Sequence, residues 1–362
     1  MLSQTTYLER LRRVRQQLAA WGVEGVLITS PYNRRWLSGF TGSAGQLLVT
    51  QQTALLATDS RYWEQAAQEA PAFTVWQLGH DREGNFRAAV ASSGAARLGI
   101  EAQHVTLAEY ANLAQVEGVE WTPLKETLEP MRAVKSEEEI EMMVRAAAIT
   151  DAAMNQVNQL ARVGMSEKEL AWQLERTMRE AGADGMAFTV IVASGPNAAR
   201  PHHHPGERLL QPGDAIVIDM GAVLDGYHSD LTRTFYMGSE PDEQFWRIYN
   251  LVLTAQEAAL AGIRAGLTGK EADALARDVI ATAGHGAHFG HGLGHGVGLE
   301  IHEEPRLSVL REKERLSAGM VTSVEPGVYI PGWGGVRIED LVLVTENGVH
   351  CLSQAAKDPI IR

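Results

Sequence analysis

A chain of 362 residues with 45% hydrophobic and 21% charged side chains is long enough for two domains, which excludes a single small module and a mainly disordered protein. Its 32 Lys and Arg against 45 Asp and Glu leave a formal charge of −13, the wrong balance for a protein built to neutralise nucleic-acid phosphates. The one cysteine, Cys351, excludes an internal disulfide and a cysteine-rich metal site, and suits a reducing, cytoplasmic setting.

The opening segment MLSQTTYLERLRRVRQQL sets Leu8, Leu11, Val14 and Leu18 among charged residues at helical spacing, predicting an amphipathic surface helix rather than a signal peptide. No stretch approaches the ~18 to 20 apolar residues of a membrane span. Short apolar runs at 25–29, 46–50, 54–58, 73–78 and 98–102, with Trp121 beyond, predict an α/β domain with a mixed sheet. Between its first two strands SPYNRRWLSGFTGSAG reads as a glycine- and serine-rich loop carrying Arg34, Arg35 and Trp36. A boundary follows, giving domains 1–128 and 129–362: Pro130 interrupts, and Ser136 with Glu139 forms a capping box opening a long helix over Ile140, Met143, Ala147 and Met154. A second box, Ser166 with Glu169, opens a helix to about Glu180. A strand at 188–193, helices near 243–260 and 271–283, and strands near 321–324 and 336–345 make the second half an α+β domain.

Within that half, GDAIVIDMGAVLDGYHSDLTRTFYMG holds two apolar runs joined by Asp225 and Gly226, a dipeptide that favours a tight hairpin because it tolerates positive φ. A two-residue turn pairs Leu224 with Tyr227 and therefore Asp219 with Thr232. Since side chains alternate, Asp230 shares the face of Thr232 and is a diagonal neighbour of Asp219. Two carboxylates roughly 5 to 8 Å apart repel unless one is protonated, a cation lies between them, or both are solvated at an edge.

In AGHGAHFGHGLGHGVGLEIHEEP, His285, His288, His291, His295 and His302 are interleaved with glycines dense enough to exclude a helix, at roughly 1 kcal/mol each. Such backbone lets chain and ligand approach closely, and neutral imidazoles serve as metal ligands or proton carriers; His285 and His288 are expected to be peripheral. TSVEPGVYIPGWGGVRIEDLVLVT then puts Glu325 at the end of one apolar strand and Glu339 inside the next, where acids are seldom buried without a partner or a metal. Asp219, Asp230, Glu325 and Glu339 with one imidazole form an oxygen-rich set of formal charge −4, matched by two divalent cations and by two-metal hydrolysis.

The segments DMGAVLDGYHSDLTRTF, HGLGHGVGLEIHEEP, SVEPGVY and GGVRIED resemble the creatinase/prolidase/methionine-aminopeptidase superfamily of pita-bread metallopeptidases, and within it the Xaa-Pro peptidases. The resemblance implies a creatinase-like α/β N-terminal domain and an α+β pita-bread catalytic domain. It implies metal ligation by Asp219, Asp230, His295, Glu325 and Glu339, with two Mn²⁺ ions, or Co²⁺ or Zn²⁺ in their place. It makes Glu325 the proton acceptor and His202, His291 and His302 substrate-shaping or proton-shuttling residues, His202 lying 17 residues before Asp219 in RPHHHPG. Tyr329 and Arg337 would line the site, Arg337 either touching substrate or neutralising a carboxylate, and Thr232 would orient a carboxylate. Arg306 matches an arginine of some prolidases, but similar small bacterial aminopeptidases carry it too, so it does not discriminate between the two activities. The compact N-terminal domain is similar to that of small bacterial Xaa-Pro aminopeptidases, which release the first residue from peptides with proline second; the alternative is an Xaa-Pro dipeptidase. The implied partners are short proline-containing peptides and a second copy of the chain, whose site Arg35 could reach; no nucleic acid and no membrane are implied. With all five ligands present, a metal-free scaffold is disfavoured.

Overall fold

The computed structural model describes residues 2–361, and the chain divides into two compact units between Arg132 and Ala133. In the first, six strands lie in the order Thr74–Leu78, Ala54–Asp59, Gln46–Thr50, Gly25–Ile28, Arg97–Glu101 and Glu120–Leu124. The middle pairings are antiparallel and the outer ones parallel, a mixed sheet as its apolar runs predict. Helix Gln4–Gln17 starts where the Ser3 side chain accepts from the Thr6 amide. It buries Leu11 and Val14, with Leu18 buried just beyond, while Leu8 is half exposed. Tyr7, not Leu8, is one heptad before Val14 and completes the stripe.

The segment expected to be a plain loop contains a helix, Pro31–Ser38. Ser30 caps it by accepting from the Asn33 amide, Pro31 occupies its first turn, and Gly39 at φ 82° closes it, the proline-first, glycine-last asymmetry of helix ends. Trp36 and Leu37 are buried. Arg34 is also buried, donating to the Gly42 and Gly45 carbonyls at 2.6 and 2.7 Å, so of the arginines in this segment Arg35 alone is half exposed.

In the second unit the helix Glu137–Met154 opens with a complete Ser136 and Glu139 box. At Glu167–Glu180 the Ser166 side chain accepts from the Glu169 amide. These two helices pack Ala153, Met154, Leu170, Leu174 and Met178 onto Val192, Ile216, Ile218 and Phe235 of a four-stranded sheet ordered Ile360–Ile361, Leu231–Met237, Ala215–Met220, Ile191–Ser194. A second core joins Ile248, Val252, Ala272 and Ile280 of helices Glu243–Gly262 and Gly269–Thr282 to Val324, Val328, Val336 and Val342. That core underlies an antiparallel sheet ordered Glu303–Leu307, Gly294–Gly296, Val321–Val324, Asp340–Val344, Val349–Cys351, and the ribbon Gly327–Ile330 with Gly334–Arg337.

Two sequence expectations shift. The strand expected from 188 begins at Ile191, and the single run expected at 336–345 is two strands, Gly334–Arg337 and Asp340–Val344, that belong to different sheets. Among the described residues no helix is long and apolar enough to cross a membrane. Replacing Ser136 by Ala removes the cap of the helix that lies over the hairpin sheet and should cost about 1 kcal/mol of stability, read as a lower urea midpoint at unchanged slope; an unmoved midpoint would show the cap to be dispensable.

Candidate metal centre

The hairpin register follows its turn. Asp225 and Gly226 take φ 48° and 76°, Leu224 faces Tyr227, and Thr232 faces Asp219. Between Gly221 and Asp230 the two strands separate and resume, leaving Asp230 in the gap beside Asp219. Glu339 occupies the break between Gly334–Arg337 and Asp340–Val344, its amide donating to the Thr232 carbonyl at 3.1 Å. Asp219, Asp230 and Glu339 each present an oxygen within 4.8 Å of the others.

His295 enters from Gly294–Gly296. A side chain on Gly294 would collide with the Ser323 carbonyl, and one on Gly296 with the Glu304 carbonyl, so glycine on both sides lets two neighbouring strands close on this histidine. His295 Nδ1 meets the Gly296 carbonyl at 3.1 Å. Its Nε2 lies 3.3 Å from Glu325 Oε1 and 3.6 Å from Asp230 Oδ2. Glu325, just past Val321–Val324, is positioned by its amide on the Leu293 carbonyl at 2.8 Å and by Ser323 Oγ donating at 3.0 Å.

Arg337 braces the cluster from behind. It is 3% exposed, and its fork donates to Asp219 Oδ2 at 2.6 Å, Thr232 Oγ1 at 3.1 Å and Tyr329 OH at 2.9 Å. Thr232 in turn donates to Glu339 Oε2 at 2.7 Å, and Tyr329 OH lies 2.9 Å from His291 Nε2. Arg337 makes the neutralising salt bridge to Asp219 and also lines the cleft.

The electrostatics call for cations. Burial, then the charges of Glu339, Asp219 and Glu325, raise Asp230 well above the ordinary carboxylate range; burial, Glu325 and Asp219 do the same to Glu339. Burial also raises Asp219, against the opposing charge of Arg337. Burial would raise Glu325 too, but the hydrogen bond and charge of His295, with His291 and Arg337, hold it at about 2. Asp219 Oδ1 and Glu339 Oε1 are buried with no hydrogen-bond partner, although the other oxygen of each is satisfied. Buried lone pairs left open in a cluster of acids fit divalent cations.

The cluster forms the floor of a cleft of about 650 Å³. His202, His291, His302 and Arg306 line it; the His302 ring stands 4.3 Å edge-on from that of His295 and is pushed down to about 4 by desolvation, His295 and Arg306. Arg306 pairs across the sheet with His295 and is half buried. His204 also lines the wall, and His203 is tied by Nε2 to the buried Glu167 at 2.8 Å. The rings of His285 and His288 lie tilted against each other with centroids 5.4 Å apart, away from the cluster's hydrogen bonds. Arg35 belongs to the first unit.

Three supports escaped the sequence. Asp273 and Arg277, four apart on Gly269–Thr282 and so on one helix face, hold the histidine loop: Arg277 Nη2 donates to the His291 carbonyl at 2.6 Å, and Asp273 accepts from the Leu293 amide at 2.9 Å. Arg233, on the opposite face from Thr232, donates to the Glu339 carbonyl and pairs with Asp340 at 2.8 Å. Glu167 anchors the segment that carries His202. The Asp273 spacing was a readable signal; the other two had none.

The model of metallopeptidase family M24 matches residues 141–346, and that of the creatinase/prolidase N-terminal domain matches residues 10–134. A solved structure described as an Xaa-Pro dipeptidase from Bacillus anthracis superposes with a TM-score of 0.96 at 40% identity, covering 98% of this chain and 100% of that one. An X-Pro aminopeptidase from Thermotoga maritima superposes at 0.89 with 37% identity over 96% and 99% of the two chains. The Xaa-Pro dipeptidase of Pyrococcus horikoshii is 36% identical over 97% of this chain and 99% of its own length.

Because burial and the neighbouring carboxylates raise Asp230 and Glu339 in the ion-free cluster, binding Mn²⁺ to chelator-stripped protein should release protons, and affinity should rise with pH. Calorimetry in two buffers of different ionisation heat, repeated across the acidic range, reads the release; proton-neutral binding throughout that range would mean that other groups ligate the ion.

Proposed function

The chain belongs to metallopeptidase family M24, and from that premise we propose that it hydrolyses the bond between a first residue and a second-position proline, acting on Xaa-Pro dipeptides. The dipeptide preference replaces the aminopeptidase expectation. Relatives from Bacillus anthracis and Pyrococcus horikoshii named as Xaa-Pro dipeptidases carry that preference; in this reading the half-buried Arg306 that lines the cleft beside His295 meets the proline carboxylate. The Thermotoga maritima relative, named as an X-Pro aminopeptidase, makes peptide length the measurement that decides.

In this proposal Asp219, Asp230, His295, Glu325 and Glu339 hold two divalent ions, Mn²⁺ first among Mn²⁺, Co²⁺ and Zn²⁺. When bound, the pair supplies Lewis acidity and an acidified water at neutral pH. The remaining work falls to side chains. The acidic cluster attracts the free α-amino group of the substrate. Glu325 Oε1, held ionised by His295 and Ser323, accepts the proton of the attacking water. His302, neutral because its imidazole is pushed down to about 4, donates a hydrogen bond to the oxygen that gains charge, and His291, whose Nδ1–H donates to the Gly292 carbonyl and whose Nε2 accepts from Tyr329 OH, shapes the cleft wall. His202 faces the substrate from the opposite wall. The proline imide offers no N–H, so shape, histidine donors and the carboxylate clamp must carry recognition.

A cytoplasmic homodimer completes the proposal. In it Arg35, rather than the internally committed Arg34 or buried Trp36, would be the side chain to reach substrate in the partner's site; full activity of a monomer would overturn that role.

With added Mn²⁺, chelator-stripped enzyme should cut Ala-Pro and leave Ala-Pro-Ala intact; equal cleavage of the tripeptide would restore the aminopeptidase reading. Asp230→Ala and His295→Ala should abolish both activity and the second bound ion. Arg306→Ala should raise KM for Ala-Pro about 10- to 100-fold with little change in kcat, the loss expected for one charge-assisted contact made equally in ground and transition states. An unchanged KM would remove Arg306 from the substrate site.

A further inference from the structure

Glu167 lies in the first turn of Glu167–Glu180 and is wholly buried. It does not cap that helix; Ser166 does. Its carboxylate accepts from one stretch of chain only. Oε1 takes the Ser194 amide at 2.8 Å, Ser194 Oγ at 2.7 Å and Asn197 Nδ2 at 3.0 Å. Oε2 takes His203 Nε2 at 2.8 Å and the Gly206 amide at 3.2 Å. Donors at both ends and in the middle of residues 194–206 therefore converge on a single side chain.

That segment is a wall of the cleft. It leaves the sheet at Ile191–Ser194, whose Ile191 pairs with Asp219, and it carries Pro201, His202 and His204 along the cleft. The Pro201 carbonyl meets Arg337 Nη1 at 3.4 Å, joining the segment to the brace behind Asp219. Residues 200–214 contain no helix or strand; backbone bonds tie Gly206, Arg208 and Leu210 to residues 164–168, and the His203 amide on the Arg200 carbonyl closes a turn at His202, but no ladder runs through residues 201–205. A buried carboxylate is costly unless fully satisfied, and here the bonds that satisfy it also tie both ends and the middle of the segment to one point. The convergence holds the Glu167 carboxyl below its ordinary range despite burial.

We propose that Glu167 is a positioning residue for the reaction: by gathering residues 194–206 onto one carboxylate through Ser194, Asn197, His203 and Gly206, it holds the His202 imidazole where it meets the substrate. The inference rests on the Xaa-Pro reading of the cleft.

Glu167→Gln keeps the shape of the side chain but turns one acceptor into a donor facing donors. With Ala-Pro as substrate it should lower kcat/KM about 10- to 100-fold, the scale of a small displacement of an active-site group, while the number of bound ions stays that of the wild type and the urea midpoint falls with the lost buried bonds. A double-mutant cycle separates positioning from general support. If Glu167 acts through His202, Glu167→Gln with His202→Ala loses no more than His202→Ala alone; if the two losses multiply, or Glu167→Gln is fully active, the proposal fails. Should Glu167→Gln not fold, His203→Ala removes one donor from the same carboxylate and is judged by the same cycle. A second arm needs no substrate: in ¹H–¹³C spectra of the zinc-loaded protein, the His202 ring signal should shift or broaden in Glu167→Gln or His203→Ala while that of His295 stays. An unmoved His202 signal overturns the positioning role. Wild-type protein that cuts no Xaa-Pro peptide would sink the function, and the spectra would still decide the role of Glu167.

Discussion

Asp219, Asp230, Glu325 and Glu339 are packed closely enough, and deeply enough, that each raises the cost of ionising its neighbours. The rest of the catalytic unit can be understood as the means of holding that arrangement. One arginine, Arg337, shares its fork among Asp219, Thr232 and Tyr329, and one fixed positive charge cannot balance four carboxylates in their ionised form. The deficit is what gives the site its affinity for divalent ions: the orphaned oxygens of Asp219 and Glu339 are strain that an ion removes. A lysine in place of Arg337 would supply the charge without the planar fork, leaving Thr232 or Tyr329 without its donor.

Support comes in concentric rings, each fixed by a different kind of contact. Side-chain hydrogen bonds set the carboxylates directly. Backbone carbonyls come next: Arg277 grips those of Phe289 and His291, and Arg233 grips that of Glu339, so that the main chain of the histidine loop and of Glu339 is held as well as the side chains. Outermost are the two hydrophobic cores, which fix the helices from which Arg277 and Glu167 project. Precision of this kind belongs to sites built on sheets and helices rather than free loops.

Much of this was legible before any coordinates. The Asp225 and Gly226 turn fixes a register, and a register of period two places Thr232 against Asp219 without further information; local turn chemistry here decides a contact between distant residues. The glycines around His295 announce close backbone approach, and Ser323 and Glu304 are what approach. Other features were hidden for physical reasons. Pro31–Ser38 is short, and its glycine- and serine-rich flanks mask the Ser30 and Pro31 start. Glu167 resembles any acid in a helix's first turn, because its partners lie 27 to 39 positions away. The break before Glu339 cannot be seen in an unbroken apolar run, since residues on either side pair with different sheets. Whether Arg337 meets substrate or braces a carboxylate depends on where its fork ends, which spacing alone does not encode.

That break has a further consequence for how the protein can vary. From Val321 to Val344 the chain passes through four strands of two sheets and delivers Glu325, Tyr329, Arg337 and Glu339 in turn. The exposed turn at Pro331 and Gly332 can gain or lose a residue with its strands still in register. Between Arg337 and Asp340 there is no such slack: one residue more or fewer would rotate either the brace or the carboxylate to the wrong side of its strand. In this stretch the number of residues is under as strong a constraint as their identity, so length variation among relatives that keep the chemistry should collect at the turn and vanish at the crossing.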